Sequence, residues 1–423
     1  MNRLLTPSEH LMWLLGCDRA INVSLCARIR GAFSVERLVE ALGWVQRRHP
    51  LLSKRILIDR QQQPCLVSQG VPPIPIQVIK RLGEEHWSQE ISAQLLHPFS
   101  WSEEPLARVV LLHSPDVSDL LLTYHHIGDG LSGAYLMRDI WCEITEPGSY
   151  RERLPEIPSI DRLLPPVYGE GEKNTVDFDW GVKVDQTIQL DEAYHERIHL
   201  LHWYFSPLET NRLVARCRQE QTTVHGALCA AFLLSLYHET SSSKEIVLKC
   251  LSPFNLRNYL TIPVGENFGE YIARVVTSHS LNQQTQFWDL ARQVKHQINL
   301  AVMEKKIYQG SSKAKSFLST KPNKITTRQY AKNITSSDIA ITNLGRLDIP
   351  VHQGGLELEK LYFTVTGFRH QPIIVAIATT AGKMCVTFRY QESLIPSGSA
   401  QKINTGAMEK LRSELAHAPQ LSF

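Results

Sequence analysis

His125 and Asp129 stand four residues apart, with Gly130 directly after, at the end of the apolar run Leu120-Leu121-Leu122-Thr123-Tyr124. Imidazole titrates near neutral pH, so a histidine delivered at the end of a buried strand is suited to take a proton as a general base. On the residues alone, Asp129 is placed to cap the helix that follows. A second pattern, His195-Glu196-Arg197-Ile198-His199, has the H-E-x-x-H spacing of zinc peptidases. That pattern needs a helix, so that both imidazoles share one face. Here it runs into His199-Leu200-Leu201-His202-Trp203-Tyr204-Phe205, whose composition predicts a strand. No metal site is expected from it.

The elements around the first pattern follow from periodicity. Ala20 to Arg30 predicts a strand, with Ile21, Val23, Leu25 and Ala27 alternating against mostly polar neighbours. Ser34 is placed to cap a helix that carries Val35, Leu38, Val39, Leu42 and Val45. Leu51 to Asp59 is expected as a strand and Glu84 to Leu96 as a helix. The strands Ala107 to His113 and Leu120 to His125 flank the turn Ser114-Pro115-Asp116, and a helix begins near Leu131. Prolines and glycines between Glu146 and Ile198 mark a long connection. Beyond it come a helix at Pro207 to Gln219, an apolar helix at Thr223 to Tyr237 and a strand at Glu245 to Ser252. An amphipathic helix from Phe287, a hairpin around Ala381-Gly382-Lys383 and a last helix follow. Strands and helices interleave in both halves, which predicts a mixed α/β fold.

The bulk properties narrow the possibilities. At 423 residues, two domains are expected, divided as 1–175 and 199–423 by a crossover at 176–198. Hydrophobic content of 43% and charged content of 21% suit a globular protein. A net charge of +3 gives no global reason for nucleic-acid binding. No apolar run is long enough to span a bilayer, and the N-terminus lacks the apolar stretch of a signal peptide. It predicts a helix instead, with Thr6 as cap, Pro7 in the first turn and Glu9 closing a capping box. The eight cysteines are scattered with no C-x-x-C, as reduced packing residues in a cytoplasmic protein would be.

His125-x-x-x-Asp129-Gly130 after an apolar strand resembles the H-H-x-x-x-D-G motif of the condensation-domain superfamily of acyltransferases. Asn255-Leu256-Arg257-Asn258 followed by Gly265-Glu266-Asn267-Phe268-Gly269 resembles that superfamily's second-domain signature. Thr342-Asn343-Leu344-Gly345-Arg346 resembles its late Asn-x-Gly strand. The patches fall in the family's order over almost the whole chain. The nearest type is the stand-alone, polyketide-associated O-acyltransferase of the phthiocerol/phthiodiolone dimycocerosyl transferase kind. The resemblance implies two chloramphenicol-acetyltransferase-like domains in a V, with a channel between them and the histidine at its middle. It implies direct attack of an acceptor alcohol, or alternatively an amine, on an acyl thioester. Coenzyme A or the phosphopantetheine of an acyl carrier protein supplies the thiol, and no cofactor or metal is held permanently. A monomer is expected. A catalytically silent, carrier-binding member is a further alternative, against which an intact His125, Asp129 and Gly130 argue.

The sequence departs from the motif in one respect. Tyr124 stands where the family has its first histidine, and His126 is extra. Strand alternation keeps His125 and His126 from facing the same side, and the spacing to Asp129 assigns the base to His125. By the same resemblance Asp129 pairs with an arginine, for which Arg257 is the candidate, and Gly128 and Gly130 let the backbone turn. Tyr124, His126, Asn343 and Gly345 are expected along the channel. Asp177-Phe178-Asp179-Trp180-Gly181 resembles the D-F-G-W-G of plant-type acyl-CoA transferases, but it falls in the connection and is taken as coincidence. Between Glu304 and Lys332 eight basic residues face one acid. Such a run is usually a solvated face or a mobile loop, but it could steer an acidic carrier protein, with Lys313 and Lys315 as docking candidates.

Overall fold

The computed structural model describes residues 2–125, 127–148, 152–165, 197–240 and 244–416. His126, His195 and the stretch 177–181 lie outside the described residues. Two six-stranded mixed sheets dominate, each with helices packed on it, as the interleaved periodicities predict.

The first sheet runs in the order His352–Gln353, Leu356–Val365, Asn22–Arg30, Val117–His125, Ala107–His113, Ile76–Lys80. All neighbours are antiparallel except the last pair. Helices Val35–Arg48 and Gly130–Thr145 pack against each other and close a core with Leu25, Leu122 and Tyr124. Ser34 caps the first of them by accepting from the Arg37 N–H. The second sheet runs Ile272–Leu281, Ile246–Asn255, Ile339–Leu347, Ile373–Thr380, Lys383–Gln391, Ile198–Phe205. The helix Val224–Thr240 is apolar nearly all round and lies buried between that sheet and helices Phe287–Met303 and Ser397–Ala416. Burial on every side is why its sequence shows no polar stripe.

Several expectations are corrected. The strand expected over Leu51 to Asp59 is a 3-10 turn at Pro50–Ser53 followed by a short strand, Arg55–Ile58, because Pro50 fixes a helical φ at the turn's start. The basic run is not a loop, but its lysines do form a solvated face: Lys305, Lys306, Lys313, Lys321, Lys324 and Lys332 are exposed. It holds helices Gln309–Leu318 and Lys324–Thr335, the second opened by a capping box between Asn323 and Thr326. Both pack against the N-terminal helix Pro7–Asp18. That helix begins as read, with Thr6 and Glu9 in a capping box.

The division at the long connection does not describe the sheets. His352–Gln353 and Leu356–Val365 lie well inside the second half of the sequence, yet they complete the first sheet. Leu356–Val365 pairs with Asn22–Arg30 over its length, Phe363 opposite Leu25. The chain then returns to the second sheet at Ile373. Sheet membership follows hydrogen bonding, and a strand's partner cannot be read from its own periodicity.

The halves also meet at the helix His86–Leu96. Its Trp87, Ile91 and Leu95 pack between Leu121 and Cys26 of the first sheet and Ile198 and Cys385 of the second. All eight cysteines are free thiols, seven buried and Cys65 partly so. Among the described residues no helix is long and apolar enough to cross a membrane. Leu361 sits at 1% exposure in the returning strand. Leu361→Ala should cost about 2–4 kcal/mol, and urea unfolding followed by circular dichroism should show both halves melting in one shifted transition. Two transitions with only one displaced would show that the strand does not couple them.

Candidate functional site

The motif strand Val117–His125 alternates across its sheet. Leu120, Leu122 and Tyr124 point into the first core, whereas Leu121 and His125 point to the opposite face. Tyr124 is therefore not in a channel. It is fully buried, and its hydroxyl donates to the carbonyl of Asp129 at 2.7 Å. The same alternation that the sequence shows along this strand separates Tyr124 from His125.

His125 ends the strand and is 5% exposed. Its N–H donates to Leu106 O at 3.0 Å, and its carbonyl accepts from Ile127 N at 2.8 Å, which starts the turn. The imidazole meets Phe99 edge-on, with ring centroids 6.4 Å apart. Phe99 in turn carries the guanidinium of Arg108 at 4.2 Å from its centroid.

Asp129 is buried at the first cap of the motif helix, and each of its oxygens accepts two hydrogen bonds. Oδ1 receives Ser132 N at 2.8 Å and Arg257 Nη2 at 3.0 Å. Oδ2 receives Arg257 Nη1 at 2.8 Å and Tyr271 N at 2.9 Å. The carboxylate thus caps its helix and pairs bidentately with Arg257, so the two readings of the sequence hold together. Burial pushes its pKa up, but the Arg257 charge and the donated hydrogen bonds outweigh it and hold the carboxyl below its ordinary value. Arg257 shows the mirror case: burial lowers its pKa, and Asp129 raises it further than that.

The segment Glu266–Tyr271 clasps the turn from the second half. Asp129 N donates to Gly269 O at 3.0 Å, and Ser132 Oγ both donates to Gly269 O and accepts from Gly269 N. Phe268 inserts into the first core against Tyr124. A Cβ at Gly128 would lie 2.2 Å from the Phe268 ring, so only glycine lets that ring close on the turn. Gly130 opens the motif helix beside Leu344 and Phe363. Asn343 Oδ1 accepts from Gly345 N at 2.8 Å, where Gly345 takes φ +72° at a register shift in its strand.

A cavity of about 110 Å³ lies between the halves, bounded by Asp129, Gly130, Arg257, Asn343 and Phe363 among others. Asn343 thus borders the cavity, and Gly345 shapes the bulge that presents it. A second clasp was not foreseen from the sequence. Asp139 of the motif helix accepts from Arg48 and His49, and Glu266 of the second half pairs with Arg48 at 2.9 Å and with Arg138 Nη1 at 2.8 Å. The signal available was only the charge of Glu266 within its signature. Lys313 is exposed on the basic helix pair and Lys315 is half-buried. His199 lies on the strand Ile198–Phe205. Among the described residues no group of three or more metal-ligating side chains comes together.

Comparison with known proteins places this geometry. A condensation-domain family model matches residues 13–143, and a model of the phthiocerol/phthiodiolone dimycocerosyl transferase C-terminus matches residues 195–393. The chain belongs to the condensation-domain superfamily of acyl and condensation transferases. Within it, the second half is of the phthiocerol/phthiodiolone dimycocerosyl transferase type, related to the polyketide-associated acyltransferases.

The structure resembles polyketide synthase associated protein 5 from Mycobacterium tuberculosis, with a TM-score of 0.67 and 17% identity over 99% of this chain and 98% of that one. It also resembles the trichothecene 15-O-acetyltransferase from Fusarium sporotrichioides, with a TM-score of 0.68 and 12% identity over 98% and 95%. Identities this low establish shared fold. A probable non-canonical nonribosomal peptide synthetase from Salinispora arenicola is 32% identical over 145 residues, 32% of this chain. A hybrid synthetase of the PKS-NRPS kind from Aspergillus fumigatus is 22% identical over 214 residues, 49% of this chain. The chain spans only 2% and 5% of the length of these two relatives.

The Asp129–Arg257 pair generates a stability prediction. Arg257→Ala or Asp129→Asn alone should cost about 3–5 kcal/mol, because each leaves a buried group without its partner. The double variant Asp129→Asn/Arg257→Gln should cost clearly less than the sum. A carboxyl with a depressed folded pKa contributes stability above roughly pH 4 that is lost as the pH falls through its folded value. Wild type should therefore lose this increment in acid and the double variant should not. Additive costs in urea titrations, with parallel pH curves, would show the pair to be uncoupled.

Proposed function

We propose that the chain is an acyltransferase that moves an acyl group from a coenzyme A or carrier-protein thioester to an alcohol, with His125 as general base. The observation that carries the reading is the placement of His125. It ends a buried strand on the face opposite the first core, and its turn is held by Asp129 and Arg257. Asp129 already receives four hydrogen bonds, so its role is to fix the turn, not to exchange protons. Gly130 belongs to the same turn; Asn343 belongs to the wall of the interface cavity, and Gly345 accompanies it at the bulge.

In the reaction, His125 takes the proton of the acceptor hydroxyl as its oxygen attacks the thioester carbonyl. A carbon–oxygen bond forms and the carbon–sulfur bond then breaks. The imidazolium returns its proton to the leaving thiolate, so the base ends unchanged and no acyl-enzyme is formed. A positioned base contributes about 10²–10⁴ in rate, and holding both substrates in register supplies more.

Amine acceptors are a second reading, favoured by the 145-residue likeness to a nonribosomal peptide synthetase and by the condensation-domain model that matches residues 13–143. A mass-spectrometric screen of acyl-CoA and carrier-bound donors against alcohols and amines separates the two. Ester products are expected, falling about 10²–10⁴-fold in His125→Ala. Amides alone would favour the second reading. No product from any pair would favour a silent, carrier-binding role, and a fully active His125→Ala would remove the base assignment.

The basic helices 309–318 and 324–335 give the reading its partner surface. Lys313 and Lys315 project from the first of these helices, and complementary charge would steer an acidic carrier. The double reversal Lys313→Glu/Lys315→Glu should lower kcat/KM for a carrier-bound donor about 10-fold or more, while a small thioester is spared. Equal loss with both donors would place docking elsewhere.

A further inference from the structure

The strand Ile272–Leu281 lies at the outer edge of the second sheet and pairs only with Ile246–Asn255, in one unbroken antiparallel register. In such a ladder each residue turns both its N–H and its C=O toward the partner strand or away from it, in alternation. Ser278 shows which set points away. Its N–H donates to Gln297 Oε1 at 3.0 Å, and its carbonyl accepts from Gln297 Nε2 at 2.9 Å. The edge therefore already grips one amide group through two bonds, supplied by a side chain of the helix Phe287–Met303. Period two gives Val276 and Arg274 the same outward pair. Among the described residues no group hydrogen-bonds to either pair; the hydrogen bonds of Arg274 come from its guanidinium. An edge of that kind is a template for an extended chain of amides.

The open pairs lead toward the candidate site. Ala273 and Val275 turn their side chains into an apolar cluster with Ile307, so Ile272, Arg274 and Val276 face the other way. Ile272 and Arg274 border the same cavity as Asp129, Arg257 and Asn343. Val276 is 39% exposed and stands about 14 Å along the strand from Ile272. The edge thus runs from the protein surface to the interface cavity, and Gln297 occupies it on the far side of Val276. An acyl thioester brings a chain that suits such an edge. Between phosphate and sulfur, the pantetheine arm shared by coenzyme A and holo carrier proteins is linear and carries two secondary amides, each a donor and an acceptor.

We infer that the outer edge of Ile272–Leu281 seats the pantetheine arm of the acyl donor. One amide of the arm pairs with the N–H and C=O of Val276, as Gln297 pairs with those of Ser278. The other, nearer the sulfur, reaches the pair of Arg274, and the thioester enters the cavity past Ile272. The inference rests on the function proposed above. It is tested with Val276→Pro, which removes an outward N–H and no ladder bond, a place where an edge strand tolerates proline. KM should rise about tenfold for acyl-CoA and acyl-pantetheine alike, through the lost hydrogen bond and the blocked approach beside it. The melting temperature, kcat and KM for the acceptor should hold. Val276→Ala keeps the N–H, and Ser280→Pro places the same ring on an outward N–H beyond Gln297; both should leave the donor KM unchanged.

Residue-resolved amide hydrogen exchange on the wild-type protein gives a measure that needs neither a variant nor turnover. Coenzyme A, pantetheine and a holo acyl carrier protein are each added as probe. Exchange at Arg274 and Val276 should slow several-fold, while Ser278, already bonded to Gln297, stays as it was. Protection by coenzyme A and pantetheine assigns the edge to a free donor, and protection by the holo carrier alone assigns it to a carrier-bound one. No protection by any of the three overturns the inference, as does an unchanged donor KM in a folded Val276→Pro. A KM rise shared by Ser280→Pro also overturns it, being the mark of a strand merely loosened. If wild type transfers no acyl group while the probes protect Val276, the arm site stands and the acyltransferase reading fails. Transfer without protection keeps that reading and removes this site.

Discussion

The bidentate pair between Asp129 and Arg257 is the constraint on which the rest of the site depends. A carboxylate so deeply buried is costly unless its lone pairs are filled. Here two donors come from one guanidinium, one from the motif helix and one from the backbone of Tyr271. Two of these three sources belong to the other half of the chain. The turn that presents His125 is therefore complete only when the halves are docked. Geometry at the candidate base and docking of the halves are one event energetically.

The motif helix extends this logic along its length. At its start it is fastened through Asp129 and Ser132, and two turns later through Asp139 and Arg138. Glu266 and Gly269, three residues apart, serve both fastenings. Burial alone would raise the pKa of Asp139 and lower that of His49; paired with each other and with Arg48, the carboxyl is held well below its usual range while the imidazole stays below its own. Between the two fastenings Phe268 fills the first core. A short loop thus fixes the helix against rotation and sliding, which a single contact would not.

The fold class was legible because apolar periodicity is local: the helices from Val35, Pro207, Val224 and Phe287 and the hairpin at Gly382 all stand where their patterns placed them. The strand Ile272–Leu281 escaped notice because its inward positions include Thr277 and His279, which hide the alternation. At the site, His125, Asp129 and Arg257 were legible through residue types in a familiar order. Tyr124 was misplaced although the alternation rule already sent it to the core. Glu266 and Tyr271 were not legible in their roles. Their contacts join residues more than a hundred positions apart, one through a side-chain carboxylate and the other through a backbone N–H, and neither leaves a mark on local pattern.

The returning strand Leu356–Val365 has a consequence for how the molecule comes into being. On the ribosome the chain emerges from its N-terminus, and early domains ordinarily finish folding before later ones appear. The first sheet cannot do so. Asn22–Arg30 would keep one edge unpaired through more than three hundred residues of synthesis, and unpaired edges invite association with other chains. Closing so long a loop is also slow. The nascent first half is accordingly the stage at which this protein has most need of a chaperone, and the two halves are not separable units that could be exchanged by cutting the single long connection between them.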